Sequence, residues 1–191
     1  MSGKFNRITP LLGGRAALVS GCALVATGVV EIIHSQRTSG SRVVGVPGHL
    51  VLAFMVVALA AMAPAVIALS RYGRSRAAER AGIAAAAGTV LVAGCCTVSL
   101  IKGSDPALFP VFASIGSALW LGGLITIAVS LKRAGRVAPF VALALPVTWI
   151  LSLPLGTLGG GVAAGAYFLV VGHLMAGGAI GQPVAPAVAA A

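Results

Sequence analysis

Acidic residues are almost missing from this chain. Of its 191 residues, 3 are Asp or Glu, against 13 Lys and Arg. Charged side chains of either sign make up 8% of it, where an average globular protein carries about 25%. A water-soluble domain with so few could not cover its surface, which excludes a soluble fold. Aromatic residues are scarce too, at 5%. Although the pI is near 11.2, the basic residues form no stripe with interleaved aromatics, so nucleic acid is not expected as a partner. Cysteine is limited to Cys22, Cys95 and Cys96, all inside apolar runs, and this excludes an extracellular disulfide framework. No phosphate-cradling glycine loop, HExxH, nucleophile elbow or CxxC is present. Nor is there an acid-rich pair of the kind that holds Mg²⁺ against a prenyl diphosphate. No cofactor is therefore expected.

What remains is apolar. Hydrophobic residues make up 59% of the chain and the mean hydropathy is +1.06. The apolar residues fall into runs near the roughly 20 residues that cross a hydrocarbon core. Six spans are expected, at about 16–35, 49–70, 81–101, 108–131, 137–155 and 161–180. The Gly-rich turn from Gly156 to Gly160 is the weakest boundary, and if the last two spans were one broken unit five crossings would result. The expected fold class is thus all-α, a polytopic transmembrane helix bundle in a single membrane domain covering 1–191. The segment 182–191 is Ala, Pro and Val apart from Gln182 and is expected to be a disordered tail.

The basic residues set the orientation. Lys4, Arg7 and Arg15 precede span one. Arg71, Arg74, Arg76 and Arg80 lie between spans two and three, and Lys132, Arg133 and Arg136 between four and five. Arg37, Arg42 and Lys102 fall in the alternate connections. Placing the N-terminus inside puts ten of the thirteen Lys and Arg in the cytoplasm, as the positive-inside rule requires, and brings the C-terminus inside as well. The layout is that of a multi-pass protein of a bacterial-type cytoplasmic membrane. Val19-Ser20-Gly21-Cys22 has the form of a lipobox. However, six residues between Arg15 and Cys22 are too few for a signal sequence, and the apolar run continues to Ile33, so Cys22 is read as a helix residue.

Small residues mark close packing. Gly161, Gly165, Gly172 and Ala176 share one stripe of span six, and span three carries Ala84 to Gly88. Both spans are expected at the bundle centre, with a homodimer seam as the competing use of the same stripe. Span five contains Pro139, Pro146 and Pro154. Pro139 suits a first helical turn, whereas Pro146 is interior and predicts a kink.

Glu31 is the sharpest single residue. At 1.5 Å per residue it lies about 22 Å from the cytoplasmic end of span one, in the outer third of the membrane. A bare carboxylate facing lipid costs several kcal/mol, so Glu31 is expected to face the bundle or to pair. His34, one turn on and on the same face, is its nearest partner in sequence, and His49 opens span two at the same surface. Arg37 and Arg42 are further partners. Cys95, Cys96, Lys102, Asp105 and Tyr167 are expected in the same outer slab, with Cys22 and His173 nearer the inner side. His34 and His49 could in principle ligate haem or, with a cysteine, a soft metal. Adjacent thiols on a helix point about 100° apart, however, and no metal is assigned. Trp120 and Trp149 lie well inside their spans and are read as packing or pocket walls.

Three functions fit these groups. The first is binding or transport of a small hydrophobic or amphipathic molecule, proton-linked through Glu31. The second is a membrane-embedded enzyme acting on a lipid or isoprenoid, with Glu31 as general acid and His34 or His49 as base. The third is an accessory subunit of a membrane complex. The expected partners are the lipid bilayer, a hydrophobic or lipid-like small molecule, and a second copy or a membrane-complex partner.

Overall fold

The structure is a computed structural model that describes residues 5–37, 45–135, 137–152, 155, 158–178 and 180. The side chains of the first helix are described from Leu11 to His34. Lys4, Arg42, Arg136, Pro154 and the tail 182–191 lie outside these residues, as do the side chains of Arg7 and Arg37. Among the described residues there are six helices and no strand. They are α1 (Phe5–Arg37), α2 (Val46–Arg71), α3 (Arg76–Lys102), α4 (Phe109–Ala134), α5 (Pro139–Ser152) and α6 (Gly160–Ala176).

Local chemistry explains most of the boundaries. At the start of α3 the Ser75 hydroxyl accepts the Ala78 N–H at 3.0 Å, and Glu79 lies in the first turn, where a negative charge suits the helix dipole. Gly103 ends the same helix in the left-handed conformation at φ 68°, where its N–H closes on the Ser99 carbonyl. Proline occupies the first turn of both α2 and α4, a position where its missing N–H costs nothing.

Four of the helices are long and apolar enough to cross a membrane: Leu11–His34 within α1, α2, α3 and α4. They make the chain compatible with an integral membrane protein. Over the described residues the last two helices are shorter than their expected spans of 137–155 and 161–180. At 14 and 17 residues they are about 21 and 26 Å long, against a hydrocarbon core of about 30 Å. Gly177 and Gly178 stop α6, with Gly178 at φ 71°, and α5 is described as far as Ser152. Meanwhile α1 begins at Phe5, well before the expected start near 16.

Each helix packs on the next, and α6 returns to pack on α1, so the six form a closed up-and-down ring. Because the number of helices is even, closure sets the first and last antiparallel. The seam is built from glycine on both sides. Gly14, Gly21 and Gly28 of α1, spaced by seven, oppose Gly172, Gly165 and Gly161 of α6 in reverse order. A Cβ on Gly165 would lie 2.6 Å from the Gly21 carbonyl oxygen, and one on Gly172 would lie 2.8 Å from that of Gly14. Backbone therefore touches backbone, which in lipid gains dispersion contact that no larger residue permits. A second seam of the same kind joins α3 to α4, where Gly88 meets Gly116, and Gly123 fits against Ala81 and Ala85. The expected central placement of spans three and six gives way to this pairing. Their small residues seat α6 on α1 and α3 on α4, and the α6 stripe is thus occupied within one chain and not free for a dimer.

The two glycines in the middle of α4 separate packing from propensity. A Cβ on Gly123 would lie 2.6 Å from the Ala81 carbonyl oxygen, whereas one on Gly122 meets nothing within 4 Å. Gly123→Ala is expected to cost about 1–3 kcal/mol by overpacking, while Gly122→Ala is neutral or stabilising by up to about 1 kcal/mol. Thermal unfolding in one detergent checks both. Gly165→Leu and Gly172→Leu should abolish folded yield, and Val170→Leu, at an exposed position of the same helix, should not.

Candidate functional site

Rotation of α1 about its axis decides where Glu31 points. The glycine face at 14, 21 and 28 is held against α6. A neighbouring stripe runs Gly13, Ala17, Ser20, Leu24, Thr27, Glu31, His34, in alternating steps of four and three. Ala17, Ser20, Leu24 and Thr27 are at most 1% exposed, so this stripe faces the bundle. Val19, Cys22, Val29 and Ile33 are exposed on the opposite side. Glu31 and His34, both half-buried, therefore end the inward stripe one turn apart. Gly159 lies beside Ile32, where a Cβ would come within 2.8 Å of Ile32 Cδ1, and this sets Glu31 at the height of the α5–α6 turn.

Buried hydroxyls in this protein usually bond to their own helix. Thr27 donates to the Ala23 carbonyl at 3.0 Å, Thr89 to Ala86 at 2.9 Å, and Thr148 to Leu145 at 2.6 Å. Ser152 does the same with Thr148 at 2.7 Å. Four buried polar atoms do not follow the pattern and have no hydrogen-bond partner among the described residues: Ser20 Oγ, Glu31 Oε2, Trp120 Nε1 and Trp149 Nε1. Two of them, on Ser20 and Glu31, belong to the inward stripe of α1. A buried unsatisfied polar group costs about 1–3 kcal/mol, so such atoms mark places where a fold forgoes stability.

The other residues expected in the outer slab are spread more widely. His49 is exposed, and its Nδ1 donates to the Gly45 carbonyl at 2.8 Å at the N-terminus of its own helix. Cys96 is buried, Cys95 half-buried and Cys22 exposed. Asp105 accepts the Ser99 hydroxyl at 2.7 Å, tying the α3–α4 loop to the helix before it. His173 is exposed. Tyr167 leaves the slab altogether. Its hydroxyl donates to the Val141 carbonyl at 2.8 Å, in the first turn of α5 and at the opposite end of that helix from Glu31. Interior Pro146 withholds the N–H that the Ala142 carbonyl would otherwise accept, and the Tyr167 hydroxyl donates to the carbonyl one residue before it.

Sequence reasoning missed Ser20 as a member of the polar stripe, although its spacing of eleven from Glu31 was readable. Trp120 is fully buried against the α3–α4 seam, where the missing side chain of Gly88 makes room for its backbone. Trp149 lines a surface groove with Pro110, Ser114 and Ser117. Among the described residues no three His, Cys, Asp or Glu side chains gather as a ligand set for a metal. The chain matches no protein-family model, no curated protein and no solved structure.

A carboxyl with one buried, unpartnered oxygen does not hold its helices together through that oxygen. Glu31→Gln is accordingly expected to leave folded yield unchanged and the unfolding free energy within about 0.5 kcal/mol of wild type, the range of a substitution that removes no contact. A loss of several kcal/mol on thermal unfolding would instead assign Glu31 to the fold.

Proposed function

We propose that this is a multi-pass protein of a bacterial-type cytoplasmic membrane. It crosses six times with both termini in the cytoplasm, and the outer end of its bundle binds or transports a small hydrophobic or amphipathic molecule, with Glu31 as the proton-linked group. The observation that carries the reading is the buried, unpartnered Oε2 at the end of an inward-facing stripe. An intramembrane carboxyl is expensive, and one that does not serve packing is retained for exchange with a proton or a ligand. His34, on the same face one turn further out, is the neighbour suited to tune or relay that proton. His49 contributes the rim of the site.

Charge supports the orientation. Gly73 in the α2–α3 turn lies against Ser130 near the end of α4, since a Cβ there would come 3.0 Å from the Ser130 Cβ. Arg71, Arg74, Lys132 and Arg133 thereby share one end of the ring, and Lys102 lies at the other. The basic end is the cytoplasmic one by the positive-inside rule. The short α5 and α6 cross with local thinning of the bilayer, which costs fractions of a kcal/mol per Å of mismatch.

Two measurements test this. Reporter fusions at Arg74 and Arg136 should read cytoplasmic and a fusion at Asp105 external; an external signal at Arg74 reverses the orientation. Binding of a fluorescent amphipathic amine to the purified protein should strengthen as pH rises and Glu31 ionises. In Glu31→Gln the pH dependence disappears, and affinity at high pH falls about tenfold, the worth of one charge-assisted hydrogen bond. His34→Asn should shift the midpoint. Binding in the wild type that does not vary with pH, or Glu31→Gln with an unaltered profile, refutes the proton-linked site.

A further inference from the structure

A second feature lies away from Glu31, on the outside of the α3–α4 pair. A groove of about 680 Å³ runs between α3 and the start of α4, within the range of about 300–1,000 Å³ for small-molecule sites. Its walls are Leu91, Gly94, Cys95 and Val98 on one side and Phe109 and Phe112 on the other. None carries a charge. The groove opens where Gly94 lacks a side chain, since a Cβ there would meet nothing within 4 Å.

What lies at its end gives the groove a chemistry. Leu91, Cys95, Val98 and Lys102 follow one another at steps of four, three and four, so they form one stripe of α3. The stripe is apolar until its last member, an exposed lysine in the final turn of a membrane-length helix. That position is at the membrane surface whichever way the chain is oriented. Asp105, three residues on, makes no ion pair with the lysine and instead accepts the Ser99 hydroxyl at 2.7 Å. Lys102 makes no hydrogen bond or ion pair among the described residues. A hydrocarbon track ending in a free ammonium at the lipid–water boundary complements one kind of molecule, an acyl chain carrying an anionic headgroup.

We propose that the α3–α4 groove is a binding site for an anionic phospholipid, with one acyl chain along Leu91, Cys95 and Val98 and the phosphate at Lys102. The site rests on the membrane reading but uses neither Glu31 nor His34, so the two can fail separately. A lipid held there would cover the outside of the Gly88–Gly116 seam and stabilise the α3–α4 pair.

Native mass spectrometry of the purified full chain in detergent tests the site, with phosphatidylglycerol and phosphatidylcholine of identical chains as the probes. The wild type should retain one lipid and prefer phosphatidylglycerol. Lys102→Gln should lower that preference about fivefold, the worth of one lysine near an anionic surface, while still retaining lipid. Gly94→Phe places its Cβ in open space and its ring in the groove, and should lose both lipids while keeping its circular dichroism and amine binding. Unchanged retention in Gly94→Phe overturns the groove, and an unchanged preference in Lys102→Gln overturns the headgroup assignment. A dimer mass that Gly94→Phe abolishes, with no lipid bound in the wild type, would give the groove to a second copy and refute the proposal.

Discussion

The contact of α1 with α6 is the constraint on which the rest of the bundle depends. In hydrocarbon there is no hydrophobic force to press helices together, and association relies on how closely backbones can come. Gly14, Gly21 and Gly28 against Gly172, Gly165 and Gly161 bring the first and last helices into backbone contact and close the ring. Without that seam, α1 would be held by α2 alone and α6 by α5 alone. The seam also fixes the rotation of α1. Once its glycine face lies on α6, the stripe through Ser20, Thr27 and Glu31 is turned toward the interior. The position of the one acid inside an apolar span is thus a consequence of glycines on the adjacent face of its own helix.

The treatment of polar groups follows from the same environment. Most hydroxyls inside the ring bond to carbonyls of their own helix, which lets a helix slide or tilt against its neighbours without losing a hydrogen bond. Among the described residues the Tyr167–Val141 bond, beside the kink expected at Pro146, is the clearest hydrogen bond between helices. The fold is therefore specified by shape at glycine seams more than by polar pairing. Against that background the unpartnered oxygen of Glu31 is informative, because it is a cost that the packing scheme does not require.

The two faces of the protein divide the chemistry between them. Inside, α1 presents an acid and a histidine at one end of a stripe whose only other polar members are hydroxyls. Outside, α3 presents an apolar track ending in Lys102. Both lie at the end of the ring opposite the arginine-rich turns, and both combine a hydrocarbon surface with one ionisable group. The two proposals assign a ligand that enters the bundle to the first and a lipid that stays at its surface to the second.

By itself, the sequence determined the class and the sequence of elements. Long apolar runs broken by Arg and Lys admit little besides membrane helices, since the composition cannot cover a soluble surface and the backbone must satisfy itself within each run. The small-residue stripe of α6 was also legible, because one helix face is read directly from spacing. The length of α6 was not, because hydropathy continues past Ala176 and the helix end is set by local geometry at Gly178. Which helix each stripe meets was decided by tertiary structure, as was the ring closure that joins residues more than 130 positions apart. The same holds for the outer slab: heights counted along separate helices placed Tyr167 near Glu31, yet its side chain reaches toward the other end of α5. Height along a helix is a one-dimensional quantity that sequence supplies. The direction of a side chain and the identity of its neighbour depend on how the helices are rotated against one another, and that is settled only when their surfaces meet.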